Sequence, residues 1–429
     1  MRVLVTGATG LIGSTLCARL AAEGHHVIAV VRPGSSPLPA GAAQIVEIDM
    51  ALATGAQVWA EHLLGVNAVV NCVGALQDSA REDVEGVHVT GAAALFRACE
   101  KLGIRRVIHF SAIGVDRAQP SAFSTTKLEG DRLLMERDLD WVILRPSVVL
   151  GRNVFGASAL IRGLSALPIA LIVDRTAPLQ VVQLDDVAAT VSFFIQPTAP
   201  AQVALELAGP EQLPMDEVVA RYRQWQGWPP ARRQTLPGWA TNLLYRAGDL
   251  VSALGWRPPV RSTARKEIER GAVGNPRPWR SMTGIVPTSL SSALMREPVT
   301  VQDRWFAQLY FLKPVIFIVL PLFWIGTGIV SLSIGYREGV ELMLRTGAGS
   351  LAGPSVIAGA IADILVGIAI AYRRTARHGL YAAIALSIFY IVAGSVLLPS
   401  LWAEPLGPLA KIWPILVLHF VALAIRKER

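Results

Sequence analysis

The stretch VTGATGLIGS, residues 5–14, places Gly7, Gly10 and Gly13 between an apolar strand and the start of a helix. Glycines at that spacing suit a turn that cradles phosphate. The first permits the tight bend, the second lets backbone approach a pyrophosphate, and the third packs helix on strand. The helix start adds unpaired N–H groups and the positive end of its dipole. A dinucleotide is therefore the expected ligand. At the end of the second strand, a site for NAD usually carries an acid that holds the ribose hydroxyls. This chain reads VVRPGSS there, with Arg32 followed by Ser35 and Ser36. A guanidinium at that point pairs with a 2′-phosphate, so NADP(H) is favoured over NAD(H).

Such a turn works only when a sheet holds it. Strands are expected over 2–6, 26–31, 44–48, 68–73, 106–110 and 141–145, as nearly continuous apolar runs. That is the pattern of strands buried on both faces. Helices are expected between them, over 11–23, about 55–64, 84–102 and 123–137. The alternation predicts an α/β fold with a doubly wound parallel sheet, a Rossmann-type NAD(P)-binding domain over residues 1–260. Its last third is looser. VVQLDDVAATVSFFI reads as a strand, an Asp-capped turn and a helix, so Asp185 and Asp186 are read as structural caps. GASALIRGLSALPIALIV is interrupted by Arg162 and Pro168 and reads as a cleft-lining helix followed by a loop.

Residues 261–305 read as a basic, partly irregular juxtamembrane linker, in a basic stretch that starts at Arg257. Residues 306–429 follow as an all-α transmembrane domain of four helices, with spans near 314–334, 354–372, 380–401 and 408–425. Arg373, Arg374, Arg377 and His378 join the second and third spans, and Arg426, Lys427 and Arg429 follow the fourth. The opposite loops balance Arg337 and Arg345 with Glu338 and Glu341. The excess of basic residues predicts both termini in the cytoplasm of a bacterial cell, with the chain multi-pass in the inner membrane. Asp363 lies mid-span, which makes it a candidate functional residue, with His419 or Arg345 as possible partners.

Hydrophobic residues make up 52% of the 429 and charged ones 17%, an apolar balance concentrated after about residue 305. The net charge of +8 is spread along the middle of the chain, which fits anionic lipid and argues against nucleic acid. Cys17, Cys72 and Cys99 have no metal-type spacing and read as buried thiols in a reducing compartment, and no metal is expected. No apolar leader precedes the first strand, so the N-terminal domain is expected in the cytoplasm.

TGATGLIG together with NCVG, SAIGVD, FSTTKLEGD and LRPSVVLG resembles the short-chain dehydrogenase/reductase superfamily, over roughly residues 1–260. The similarity is greatest to its atypical extended members, among them the NmrA-like proteins and an accessory subunit of respiratory complex I. The C-terminal spans resemble a DoxX-like membrane domain, on their hydropathy and on IADILVGIAIAY. The resemblance implies that Gly7, Gly10 and Gly13 line the pyrophosphate, with backbone amides from Thr9, Leu11 and Ile12. It implies that Asp49 and Met50 touch the adenine and that Cys72, Val73 and Gly74 flank the ribose. Ser111 would stand at the family's catalytic Ser and Lys127 at the Lys of YxxxK, which holds the nicotinamide ribose. Arg145, Pro146 and Ser147 would border the substrate cleft.

The sequence departs from that pattern at Phe123, which stands where the family has its catalytic Tyr. A phenyl ring cannot pass the proton that a phenol passes to or from a carbonyl. Two functions are expected to compete. One is a membrane-anchored NAD(P)(H) oxidoreductase acting on a lipophilic or quinone-like substrate. The other is a non-catalytic NADP(H)-binding sensor or scaffold with a membrane-protein partner. A nucleotide-sugar epimerase or dehydratase is weakened by Phe123.

Overall fold

The computed structural model describes residues 1–76, 78, 83–173, 176–256, 258 and 260–426. Arg257, Lys427 and Arg429, which were counted among the basic residues of the connector and the tail, lie outside the described residues. The six apolar runs are all strands: β1 (Arg2–Thr6), β2 (His26–Val31), β3 (Gln44–Glu47), β4 (Ala68–Asn71), β5 (Arg106–Phe110) and β6 (Asp140–Pro146). A further strand, Val203–Leu207, pairs with β6 and completes a seven-stranded sheet. Every pairing is parallel, and strand order reverses on either side of β1, which lies between β4 and β2. Such a reversal leaves a crevice at the carboxyl ends of the strands.

Alternate residues along each strand feed two cores, as the period of two requires. Val3, Val5, Val27, Ala29, Ile108, Val142 and Leu144 pack with Leu16, Cys17 and Leu20 of α1 (Leu11–Ala22) and with the helix Leu184–Phe194. Leu4, Ile28, Val69, Val107 and Ile143 face the other way. They meet Trp59 of α2 (Gln57–Ala60), Leu95 and Phe96 of α3 (Gly91–Lys101), and Leu134 of α4 (Ala122–Met135). A π-helical turn, Gly86–Thr90, leads into α3.

Other expectations change. Residues 169–173, expected as a loop, form the strand Ile169–Val173, whose exposed edge would be unstable alone and is paired parallel with Arg232–Leu236. Asp185 and Asp186 do not cap the helix Leu184–Phe194: Gln183 is its N-cap, and both acids lie in its first turn. There they complement the helix dipole, and Asp186 accepts from the Thr288 N–H at 2.7 Å. The stretch expected to be a linker holds the helices Ser262–Arg270, Arg277–Thr283 and Leu290–Arg296. Residues Pro258–Gln308 group with Met1–Ala253 in one compact unit. Apolar anchoring explains this: Trp279 is fully buried in the sheet core, and its indole N–H donates to Thr190 Oγ1 at 2.9 Å.

The other unit comprises Leu254–Arg257 and Leu309–Glu428. Among the described residues, three helices are long and apolar enough to cross a membrane: Val301–Leu332, the stretch Gly349–Ala371, and Ala376–Leu397. The fourth expected span is the 14-residue helix Ile412–Ile425, about 21 Å long and short of a bilayer core of about 30 Å. Residues 336–345, expected as a loop, are a helix. Gly328 and Gly367 set the approach of the first two long helices. A Cβ on Gly328 would meet the Ala360 carbonyl at 2.6 Å, and one on Gly367 the Pro321 carbonyl at 2.9 Å.

Replacing Trp279 with Ala tests whether residues 258–308 belong to the α/β unit. The expected loss is about 3–5 kcal/mol, read as a lower thermal unfolding midpoint of the NAD(P)-binding unit. A loosely attached connector would leave that midpoint unchanged.

Candidate functional site

The turn after β1 is built by close backbone approach. Gly7 has φ +63°, and a Cβ there would lie 2.9 Å from the Cys72 carbonyl group and the Val73 nitrogen. A Cβ on Gly13 would run into the Gly7 carbonyl oxygen. Gly10 is the N-cap of α1 and offers no side chain to cap it, which leaves the first N–H groups of the helix for an anion. The cradle therefore fits a dinucleotide pyrophosphate. Thr9, Leu11 and Ile12 are half-buried in it.

The ends of β2 and β3 meet at Arg32 and Asp49, whose Nε and Oδ2 are 3.9 Å apart and partly exposed. Asp49 also accepts from the Ala51 N–H at 3.2 Å. Met50 turns into the core, where it is 5% exposed, so its side chain does not line the crevice. Cys72 and Val73 are half-buried and Gly74 is exposed after β4.

Lys127, on the inner face of α4, reaches across this crevice. Its ammonium donates to the Phe110 carbonyl at 2.8 Å and the Val73 carbonyl at 3.2 Å. Burial lowers the amine to about 8, against the opposing pull of Asp131 and Cys72. One helical turn on, fully buried Asp131 accepts from Ser111 Oγ at 2.9 Å and from Arg145 Nε at 3.1 Å. Arg145 Nη1 also meets Asp116 at 2.7 Å. Burial raises the Asp131 carboxyl above its ordinary range, while Arg145 and Ser111 draw it back.

The network continues beneath the crevice. Thr6 Oγ1 donates to Asn71 Oδ1 at 2.6 Å, so Asn71 Nδ2 is left to donate to His109 Nδ1 at 3.1 Å. The His109 proton then sits on Nε2, which faces Asp131 Oδ1 at 3.7 Å. Burial and the Lys127 charge hold His109 well below its ordinary range, so the ring is neutral. His88, in the π-helical turn, is locked as well: its Nε2 accepts from the Ala75 N–H at 3.1 Å, and its Nδ1 meets Thr126 Oγ1 at 2.8 Å. Phe123 presents its ring edge-on to His88, with centroids 5.8 Å apart.

The structure thus gathers Gly7, Gly10, Gly13, Cys72–Gly74, Ser111, Lys127 and Arg145 at one end of the sheet. Pro146 is buried beside them, and Ser147 is held by the Ala272 carbonyl at 2.8 Å. Sequence reasoning missed Asn71, His88, His109 and Asp131. Two signals were present: a histidine inside the apolar strand RVIHF, and an acid four residues after Lys127 on α4. The helix Ser262–Arg270 also reaches this end. Glu267 accepts from Ser121 Oγ at 2.5 Å and Ser124 Oγ at 3.0 Å, and pairs with Arg270 at 2.8 Å.

In the other unit Asp363 is buried, but its partners are Tyr390, whose hydroxyl donates at 2.8 Å, and Thr327 at 3.4 Å. His419 and Arg345, its expected partners, go elsewhere. His419 Nε2 accepts from the Trp324 indole N–H at 2.9 Å, and Arg345 lies 3.5 Å from Ser400 Oγ. Helix packing decides this, because it turns Tyr390 rather than His419 toward the carboxylate.

The parallel sheet and its glycine turn define an NAD(P)-binding Rossmann domain. The NAD(P)H-binding family matches residues 7–156, and the DoxX-like family matches residues 321–420. The chain joins an NAD(P)H-binding Rossmann domain to a C-terminal DoxX-like domain. An uncharacterised protein of Mycobacterium tuberculosis is 28% identical over 220 residues, which cover 51% of this chain but only 23% of that protein. A 3-diazoavenalumate denitrifying reductase of Streptomyces is 28% identical over 60% of this chain and 96% of its own length. Among solved structures, MoeE5 in complex with UDP-glucuronic acid and NAD shares the fold. It has a TM-score of 0.53 and 20% identity over 69% of this chain and 97% of its own.

Lys127 yields a sign-specific prediction. An unfolded lysine titrates near 10.5 and this one at about 8, so the unfolded state holds more protons between those values. The cost of the buried charge is complete below the lower value and fades as pH rises through the window. Stability relative to Lys127→Met is therefore expected to rise by roughly 3 kcal/mol or less across it, measured by thermal unfolding at stepped pH. A flat or falling difference would contradict a buried, charged Lys127.

Proposed function

We propose that this protein is an NAD(P)H-dependent oxidoreductase held at the bacterial inner membrane, with both termini cytoplasmic, that reduces a lipophilic or quinone-like substrate. What supports this reading most is that Lys127 and Ser111 lie at the same end of the sheet as the glycine turn, while Phe123, a ring without a hydroxyl, packs against His88. The bound nicotinamide would supply or accept hydride. The glycine turn would hold its pyrophosphate, and Lys127 would hold its ribose after releasing one of its two carbonyls. Ser111 would orient an acceptor oxygen while Asp131 fixes the hydroxyl.

The phenyl ring of Phe123 cannot hand over a proton, and both nearby histidines are neutral and already bonded. A substrate that takes its protons from water, as a quinone does on reduction, suits such a crevice. The Streptomyces reductase supports a reductive reading, and the membrane-capable helices support a lipophilic substrate. An epimerase reading, suggested by the sugar-nucleotide enzymes that share the fold, asks for the missing phenol. The decisive experiment mixes purified protein with NADPH and a panel of quinones and follows the loss of NADPH absorbance. Turnover is expected on at least one acceptor. Tight NADPH binding with no turnover on any would replace the enzyme by an NADP(H)-binding sensor or scaffold with a membrane-protein partner.

NADP(H) is the favoured cofactor because Arg32 presents a partly exposed guanidinium that pairs only loosely with Asp49, 3.9 Å away. Such a loose pair can open toward a phosphate. Arg32→Ala is expected to weaken NADPH binding about tenfold or more, the value of a charge-assisted bond, and NADH binding hardly at all. Equal losses in titration calorimetry would refute the pairing.

A further inference from the structure

The helix Gly238–Ala253 buries only one side. Thr241, Tyr245 and Gly248 face inward, and a Cβ on Gly248 would collide with the Val260 carbonyl. On the outer side Trp239 is 71% exposed, Leu243 62% and Leu250 74%. Those positions fall four and seven residues apart, which is one stripe of a helix. Leu244, 47% exposed, widens it. Arg246 is the one charged residue on the exposed side. The helix's acid, Asp249, is turned toward Ser262 Oγ at 2.5 Å and Arg261 at 3.4 Å. A soluble surface rarely carries such an apolar stripe without an occupant.

The covalent chain says what that occupant is. Leu254–Arg257 belongs to the unit of membrane-capable helices. Within that unit the Leu254 carbonyl accepts from the Arg373 N–H at 3.2 Å. The Trp256 indole donates to the carbonyl of Ala371 at 2.8 Å, and Ala371 is the last residue of a candidate span. A span ends at the head-group level, and the loop that follows exposes Arg374, with Arg377 and His378 exposed in the first turn of the next helix, Ala376–Leu397. The helix Gly238–Ala253 thus ends one residue from a fixed point at the membrane surface, and its whole length is about 24 Å.

We propose that Gly238–Ala253 is an in-plane membrane helix. Its Trp239, Leu243, Leu244 and Leu250 side would sink into the head-group boundary of an anionic bilayer, with Arg246 meeting lipid phosphate. An apolar stripe with a single cation, on a helix whose one acid is tied to Ser262 and Arg261, fits a lipid surface, and the chain's return to the span end holds it there. The inner face of this helix packs on Ser262–Arg270 through Arg265, whose guanidinium lies 5.9 Å from the Tyr245 ring centre. Ser262–Arg270 also supplies Glu267 to Ser121 and Ser124 beside Phe123. Resting on the oxidoreductase reading, this makes the lipid-bound helix and the rim of the crevice neighbours in one packed pair, through which a lipid-borne substrate would arrive.

The test uses the full chain in nanodiscs of phosphatidylcholine and phosphatidylglycerol. The photocrosslinking residue benzoylphenylalanine replaces Leu243 or Leu250 and, as a comparator, exposed Leu64. After irradiation, intact-mass measurement is expected to find lipid adducts at 243 and 250 several-fold above those at 64. Arg246→Glu is expected to lower the yield at 243 several-fold in these discs. Yields equal to that at 64, or crosslinks to a second copy or another protein in place of lipid, would overturn the proposal. The readout needs neither cofactor nor turnover, so its failure is distinct from failure of the enzyme reading.

Discussion

Asp131 is the interaction on which the rest of the crevice depends. It is a fully buried carboxylate on α4, and it collects a hydroxyl from the turn after β5 and a guanidinium from β6. An unpaired charge at that depth would be prohibitively costly, and removing one partner of such a pair typically costs 3–5 kcal/mol. The donors are therefore fixed by the same energetics that fix α4 against the sheet. Lys127, one turn earlier, inherits its position from that docking. Site geometry and fold stability are here one set of contacts.

The same packing explains why loss of the phenol leaves the crevice intact. Phe123 packs on His88, whose two nitrogens are tied to a backbone N–H and a threonine hydroxyl. Neither group is left seeking a partner by the absence of a hydroxyl. Lys127, Ser111 and Asp131 keep their mutual bonds with a phenyl ring beside them.

The C-terminal unit follows another set of rules. Its exposed surface is rich in Leu, Ile, Val and Phe, and the buried Asp363 is paired with Tyr390. In an apolar medium polar side chains find partners on neighbouring helices, and glycines such as Gly328 let those helices approach.

Sequence alone determined the parallel sheet, because strands buried on both faces must be continuously apolar and the helices between them must alternate. It also determined the glycine cradle, since a positive φ beside a neighbouring strand admits little else, and the absence of a phenol at Phe123. Tertiary structure alone decided the Asn71–His109–Asp131 chain, which links β4, β5 and α4 across 60 residues of sequence. It decided that Trp279 pulls the basic stretch onto the α/β unit and that Asp363 meets Tyr390 instead of His419. It also decided that Ile169–Val173 is a strand, because its partner lies about 60 residues further on. Local periodicity reports which side of an element is buried. The identity of what it is buried against arises only when distant segments compete for the same polar groups.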